Sequence, residues 1–212
     1  MYYRELPNGY VIQNTLPAHA EGLGELQRIV FPTLSPDETL QARHYLKHLE
    51  LFPEGQFVVL DGDKIIGMST TIRHHLPEED HTYLEISGNL WMTTHEADGD
   101  WLYGMDVGVH PDYRGKGIAK AIYRARQELC RRLGLKGQIT VGMPNGYLNY
   151  ADRMSLDEYY AEMLKGNIFD PTVGTQQKLG FELLRLIHNY LDDPQCGNGG
   201  VMMTLPVEKD IS

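Results

Sequence analysis

Cysteine is scarce in this chain. Only Cys130 and Cys196 occur in 212 residues, the first in a helix-like stretch and the second in a glycine-rich one, so no disulfide framework is available and reduced thiols are expected. Long apolar runs are missing too. The best of them, Phe57-Val58-Val59-Leu60 and Ile65-Ile66, fall far short of the roughly 20 residues that cross a bilayer, and no membrane partner is expected. Met1-Tyr2-Tyr3-Arg4-Glu5-Leu6-Pro7 places an acid and a proline where a secretory leader needs an apolar core, so the expected location is cytoplasmic. Histidine lacks ligand spacing: His95-Glu96 has no second histidine one turn later and His74-His75 stands alone, so no metal is expected. Positive charge is in deficit, 19 Lys and Arg against 29 Asp and Glu, for a net charge of −10. Such a surface repels phosphate backbones, which excludes nucleic acid as a general partner.

What is present is ordinary globular material, 42% hydrophobic and 23% charged, enough for one core. A single domain over residues 1–212 is expected, with no second domain following, no internal repeat and no low-complexity linker; a homodimer stays open. One segment reverses the charge balance. From Arg114 to Lys136 there are Arg114, Lys116, Lys120, Arg124, Arg126, Arg131, Arg132 and Lys136 against the lone acid Glu128. An anion is expected to dock there.

The pattern begins β-α-α-β-β. Tyr10-Val11-Ile12 reads as a short strand, and a helical stretch from Glu21 to Val30 stops at Phe31-Pro32. Ser35-Pro36-Asp37-Glu38 supplies an N-cap, an early proline and early acids for a second helix whose apolar stripe is Leu40, Tyr45, Leu46 and Leu49. Phe57 to Leu60 and Lys64 to Thr71, joined by Asp61-Gly62-Asp63, read as a β-hairpin. Tyr83 to Ser87 reads as a short strand or as part of an acceptor-site wall. Trp101 to Val109 reads as a strand, and Ile118, Ile122, Ala125, Leu129 and Leu133 recur at helical spacing up to Gly134, which is placed to end the helix. Strands are expected again at Gly137 to Met143, Phe181 to Tyr190 and Val201 to Leu205. Between them an insertion at about 144–172 carries Tyr147, Tyr150, Tyr159 and Tyr160, and Ser155 with Glu158 forms a capping box for a helix running to Lys165. Insertions of this length are often lids or binding loops, or they simply cover the sheet.

The chemistry lies in Val107-Gly108-Val109-His110-Pro111-Asp112-Tyr113-Arg114-Gly115-Lys116-Gly117-Ile118-Ala119, a strand that turns into a helix. A helix N-terminus offers unpaired N–H groups and a partial positive charge. Gly115 and Gly117 let phosphate approach the backbone while Arg114 and Lys116 add charge, which suits a pyrophosphate. A Walker loop is excluded, because His110 stands where its first glycine belongs and Gly117 where Ser or Thr should follow the lysine. A dinucleotide fingerprint is poorly met, with Lys120 at its third glycine and no acid near Gln138 at the end of the next strand. His110-Pro111-Asp112 matches a chaperone tripeptide that joins two helices, but here a strand precedes it.

Arg114-Gly115-Lys116-Gly117-Ile118-Ala119, preceded by Val109, Pro111 and Tyr113, resembles the Gln/Arg-x-x-Gly-x-Gly/Ala signature of the GNAT superfamily, and Lys178-Leu179-Gly180-Phe181 resembles the Gly-Phe opening a late strand there. The resemblance implies an α/β fold, a mixed and mostly antiparallel sheet with one splayed parallel pair, flanked by helices. It also implies acetyl-CoA as cosubstrate and a small-molecule or peptide amine as acceptor. Coenzyme contacts would fall on Val107, Gly108, Val109, Arg114, Gly115, Lys116, Gly117, Ile118 and Ala119. Asp106 is the first candidate base and Glu85 the second. The family often places a tyrosine four residues before the late Gly-Phe to protonate the thiolate; Gln176 stands there. Either Tyr147 or Tyr150 replaces that tyrosine or the thiolate leaves unaided, and an acyl-CoA sensor without turnover is the rival class. The insertion, with Gly146-Tyr147, Tyr150-Ala151-Asp152, Met154-Ser155 and Gly166-Asn167-Ile168-Phe169-Asp170-Pro171, resembles GNAT domains that precede a nitrilase-like amidase domain.

Overall fold

A computed structural model describes residues 1–211. The chain runs β1 (Tyr3–Glu5), β2 (Val11–Asn14), α1 (Ala20–Val30), α2 (Ala42–Leu51), β3 (Phe57–Asp61), β4 (Lys64–His74), α3 (Tyr83–Ile86), β5 (Trp101–Val109), α4 (Ile118–Leu133), β6 (Gly137–Gly142), α5 (Leu156–Leu164), α6 (Val173–Lys178), β7 (Glu182–Ile187) and β8 (Gly200–Pro206). The strands form one sheet in the order β1-β2-β3-β4-β5-β6-β8-β7. Its one parallel pairing is β5 with β6; the other pairings are antiparallel. This is the mixed, helix-flanked sheet that the family resemblance implies.

Helices cover both faces. On one, Leu23 and Leu26 of α1 and Tyr45 of α2 pack with Met68, Tyr103 and Met105. On the other, Ile118, Ile122, Ala125 and Leu129 of α4 pack with Ile66 and Leu102, as their spacing predicts. Gly134 ends α4 in the left-handed conformation, at φ 66°. The insertion joins the α4 face, where Tyr159 and Met163 of α5 and Val173 of α6 pack with Val201 and Met203. Its anchor is Asp170, fully buried, which accepts hydrogen bonds from the Tyr159 hydroxyl at 3.0 Å and from the backbone N–H of Gly146, Thr172 and Val173.

Three local expectations are corrected. No α-helix starts at Ser35: Pro36–Glu38 make a single 3-10 turn, Thr39 is extended, and α2 begins at Ala42. The Glu38 carboxylate instead accepts from the backbone N–H of Asp192 at 2.7 Å, which ties the turn to the β7–β8 connection. Along α2, Leu46 is exposed while His44 and His48 are buried. His48 Nε2 meets the Leu90 carbonyl at 2.7 Å, and burial pulls its pKa down to about 4, so the ring enters the core uncharged. Tyr83 to Ser87 is no strand. Thr82 and Glu85 form a reciprocal capping box there, with Thr82 N–H donating to Glu85 Oε2 at 2.7 Å and Glu85 N–H to Thr82 Oγ1 at 3.1 Å, and α3 results. The edge strand β1 and the short α6 add to the elements expected.

Candidate active site

β5 and β6 pair over a short stretch only: Leu102 is partnered with Gln138, Tyr103 with Ile139 and Gly104 with Thr140. Past Thr140 the two strands part, leaving the β6-facing edge of residues 105–109 without a strand partner. β5 also carries a bulge against β4, where the register passes from Thr71–Gly104 to Thr70–Asp106 and leaves Met105 unpaired. Bulges re-aim side chains beside sites. Here the bulge turns Asp106 into the opening.

The opening is the floor of a cleft of about 820 Å³. At its outer end stands the turn before α4. Gly115 and Gly117 have φ of 74° and 78°, a region that L side chains rarely enter, and no atom lies within 4 Å of where a Cβ would be, so the glycines serve conformation and access rather than packing. Arg114 and Gly115, Gly117, Ile118 and Ala119 line the cleft, as do Val107 and Val109 on the strand. Two members of the expected set do not. Lys116 turns away, its Nζ 4.7 Å from the Tyr113 ring centre, and Gly108 faces the core, where a Cβ would meet Met68 and Val30. Lys120, one turn into α4, lines the cleft with Arg114. Tyr113 donates to Asp61 at 3.0 Å, so the β3–β4 hairpin turn braces the loop.

Charge is segregated across the cleft. Its lining cations are Arg114 and Lys120, at the α4 turn, whereas its lining carboxylates are Asp106 and Asp193, the latter in the β7–β8 connection beside the end of α1. Asp193 is buried and accepts from Thr33 Oγ1 at 3.0 Å and from Gln195 N–H at 2.9 Å. Asp106 Oδ1 accepts from both the backbone N–H and the hydroxyl of Thr70 at 2.8 Å, while buried Oδ2 has no partner among the described residues. Burial raises its pKa to about 6; the Thr70 hydrogen bonds and the charge of Arg126 oppose that rise.

Arg126 is not on the anion-binding face where its place in the basic segment puts it. It is fully buried behind Gly104, its three guanidinium nitrogens without partners among the described residues, and its carbon sits 5.3 Å from the Tyr123 ring centre. A Cβ on Gly104, the last β5 residue paired with β6, would overlap the guanidinium, so any larger residue there has to displace Arg126. Burial lowers the pKa of Arg126; Tyr123 and Asp106 counter it.

Three candidate catalytic residues fall elsewhere. Glu85 is exposed and engaged in the α3 cap. Tyr147 donates to the Met154 carbonyl at 3.3 Å, and Tyr147 and Tyr150 both pack on Tyr159 inside the insertion. The structure brings none of the three into the cleft lining. It brings in Tyr123 of α4 instead, with its hydroxyl 2.8 Å from Gln176 Nε2, together with Tyr83 and Tyr190 from the other face. No sequence signal marks Tyr123 beyond its place three residues ahead of Arg126 on one helix face.

No helix among the described residues is long and apolar enough to cross a membrane. The chain is 37% identical over 185 residues to the probable hydrolase YhcX of Bacillus subtilis (strain 168); the alignment covers 86% of this chain and 36% of YhcX, so the chain spans about a third of that relative's length. It is 31% identical over 195 residues to the uncharacterized N-acetyltransferase YkwB of the same organism, covering 91% of this chain and 86% of YkwB. Among solved structures, the GphF GNAT-like decarboxylase in complex with isobutyryl-CoA superposes with a TM-score of 0.77 at 19% identity, over 93% of this chain and 99% of that one. The family model described as the acetyltransferase (GNAT) family matches residues 21–148, and the chain belongs to that family.

Proposed function

We propose that the chain transfers an acetyl group from acetyl-CoA to the nitrogen of a primary amine by direct attack. Acyl transfer is the reaction class of its family. The observation that carries the finer reading is the continuous cleft, cationic at the helix turn and anionic at the bulge, with a parted pair of strands between. The pyrophosphate sits on the α4 N-terminus at Gly115 to Ala119, with Arg114 and Lys120 supplying charge. The pantetheine arm runs along the free edge of β5, where Val107 and Val109 offer main-chain groups as to an added strand. Isobutyryl-CoA in GphF supports a coenzyme A thioester as donor.

At the anionic end the acceptor arrives as an ammonium. Asp106 takes its proton through Oδ2, the carboxylate oxygen left free, and a pKa near 6 keeps the group ionised yet basic enough at neutral pH. The free amine attacks the carbonyl carbon, the C–S bond breaks, and coenzyme A departs. Cytoplasmic location belongs to the same proposal. So does kinship with GNAT domains beside an amidase-like domain, which the alignment over about a third of a probable hydrolase supports.

The test is calorimetric titration of acetyl-CoA, coenzyme A and pantetheine, followed by thiol release with a panel of primary amines. Acetyl-CoA is expected to bind far more tightly than pantetheine, and at least one amine is expected to accelerate thiol release. Equal binding of both ligands would overturn the pyrophosphate site. Tight binding without any amine-dependent release would favour the sensor reading.

A further inference from the structure

We infer that the phenol of Tyr123 is the acid that protonates the departing coenzyme A thiolate, held for that task by Gln176 and Arg126. The inference rests on the acyltransferase reading and adds the proton donor that reading leaves open.

The argument begins at the closed end of the splay. Thr140 is the last β6 residue paired with β5, so a pantetheine arm threaded between the strands ends beside it. Tyr123 reaches that point from α4, within two turns of the helix's N-terminus, and it lines the cleft together with Thr140. The phenols that line the cleft are those of Tyr83, Tyr113, Tyr123 and Tyr190. Tyr113 is in the outer turn with its hydroxyl on Asp61. Tyr83 and Tyr190 pack together on the α1 face, their ring centres 6.2 Å apart. Tyr123 is the one on the α4 face at the end of the splay.

Its surroundings suit an acid. The phenol oxygen accepts from Gln176 Nε2 at 2.8 Å, so its own O–H is left to point elsewhere. The ring is only 4% exposed and is fixed edge-on against Phe181, with centres 5.1 Å apart. Burial raises the phenol's pKa, so it carries its proton across the neutral range; the charge of Arg126 and the Gln176 donor oppose the rise and so favour the phenolate left behind. A fully buried arginine without a hydrogen bond among the described residues is costly to keep. Placement against the one ring that becomes an anion gives it a role.

The protons balance. The ammonium proton goes to Asp106 and then to solvent. After attack, the C–S bond breaks with its electron pair going to sulfur, and sulfur takes the Tyr123 proton to leave as a thiol. The nitrogen's remaining excess proton restores the phenol. Amine plus thioester gives amide plus thiol, with nothing else consumed.

The test uses hydroxylamine as acceptor, small enough to reach the carbonyl whatever amine the site admits, with two thioesters. The CoA thiolate gains from a proton as it leaves, whereas the arylthiolate of para-nitrophenyl thioacetate departs without one. Tyr123→Phe is expected to lower kcat with acetyl-CoA about 10²- to 10⁴-fold, to leave KM for acetyl-CoA unchanged, and to leave the aryl thioester's rate essentially unaltered. Gln176→Met, which frees the phenol from its partner, is expected to reproduce this selectivity at smaller size. Equal losses with both thioesters, or no loss with acetyl-CoA, would overturn the assignment. Failure of the unaltered protein to turn over either thioester would instead sink the acyltransferase reading, and this inference with it.

Discussion

The two ends of the cleft are built on different principles. The end proposed for the coenzyme is local: seven consecutive positions from Tyr113 to Ala119 make a turn in which two glycines at positive φ open onto solvent, braced from outside by the Tyr113–Asp61 hydrogen bond. The end proposed for the reaction is assembled from afar. Asp106 and Gly104 come from β5, Tyr123 and Arg126 from α4, and Gln176 from α6, 53 residues beyond its partner Tyr123. A local site tolerates damage as loss of binding, whereas an assembled, buried site registers it in chemistry and in stability.

The largest effect expected is at Asp106. Asp106→Asn keeps the Thr70 hydrogen bonds possible and is expected to lower turnover about 10²- to 10⁴-fold while coenzyme affinity holds, with the deficit shrinking as pH rises and free amine accumulates. Stability should move the opposite way. The folded carboxyl titrates near 6 and the unfolded one near 4, so between those values the folded state binds more protons and stability falls as pH rises. Above about 6 the ionised group costs roughly 3 kcal/mol. Denaturant titrations should therefore show the Asn variant more stable than the parent at pH 7.5 and no more stable at pH 4; a variant destabilised at both would make Asp106 a structural carboxylate.

Two glycines sharpen the contrast. Gly104→Ala forces a methyl into the Arg126 guanidinium, and this overpacking around a fully buried side chain should cost roughly 1–3 kcal/mol in chemical denaturation, or more. Gly117→Val meets no neighbour, so its cost is the left-handed backbone, about 1–2 kcal/mol. It should instead weaken acetyl-CoA by about tenfold or more in calorimetry, since a tenfold loss is only about 1.4 kcal/mol. If the two substitutions exchanged these signatures, the division into a local and an assembled end would be wrong.

The division also explains what could be read in advance. The α4 stripe, the Gly134 stop, the Ser155–Glu158 capping box and the Asp61-Gly62 hairpin turn obey rules that span four residues or so, and the structure has each of them. The Ser35 start failed because Glu38 is recruited by Asp192, far along the chain. Leu46 was exchanged for His44 and His48 on the buried face because the Leu90 carbonyl awaits His48. Tyr147 and Tyr150 are bound up in packing around Tyr159, which the Asp170 anchor dictates. The bulge at Met105, the burial of Arg126 and the meeting of Tyr123 with Gln176 are all properties of strand register and helix placement, with no local signature.

The smallest effect is expected at Arg114, an exposed side chain at the outer rim. Arg114→Ala should weaken coenzyme A by about 1 kcal/mol, less at high salt, and leave pantetheine unaffected.

The most direct test of the central claim is amine-dependent release of thiol from acetyl-CoA, followed by mass spectrometry of the acceptor. The account predicts one free thiol for each acetyl group found on nitrogen. Thiol released without N-acetylated product, or acetyl-CoA bound and returned intact with every amine, would contradict it.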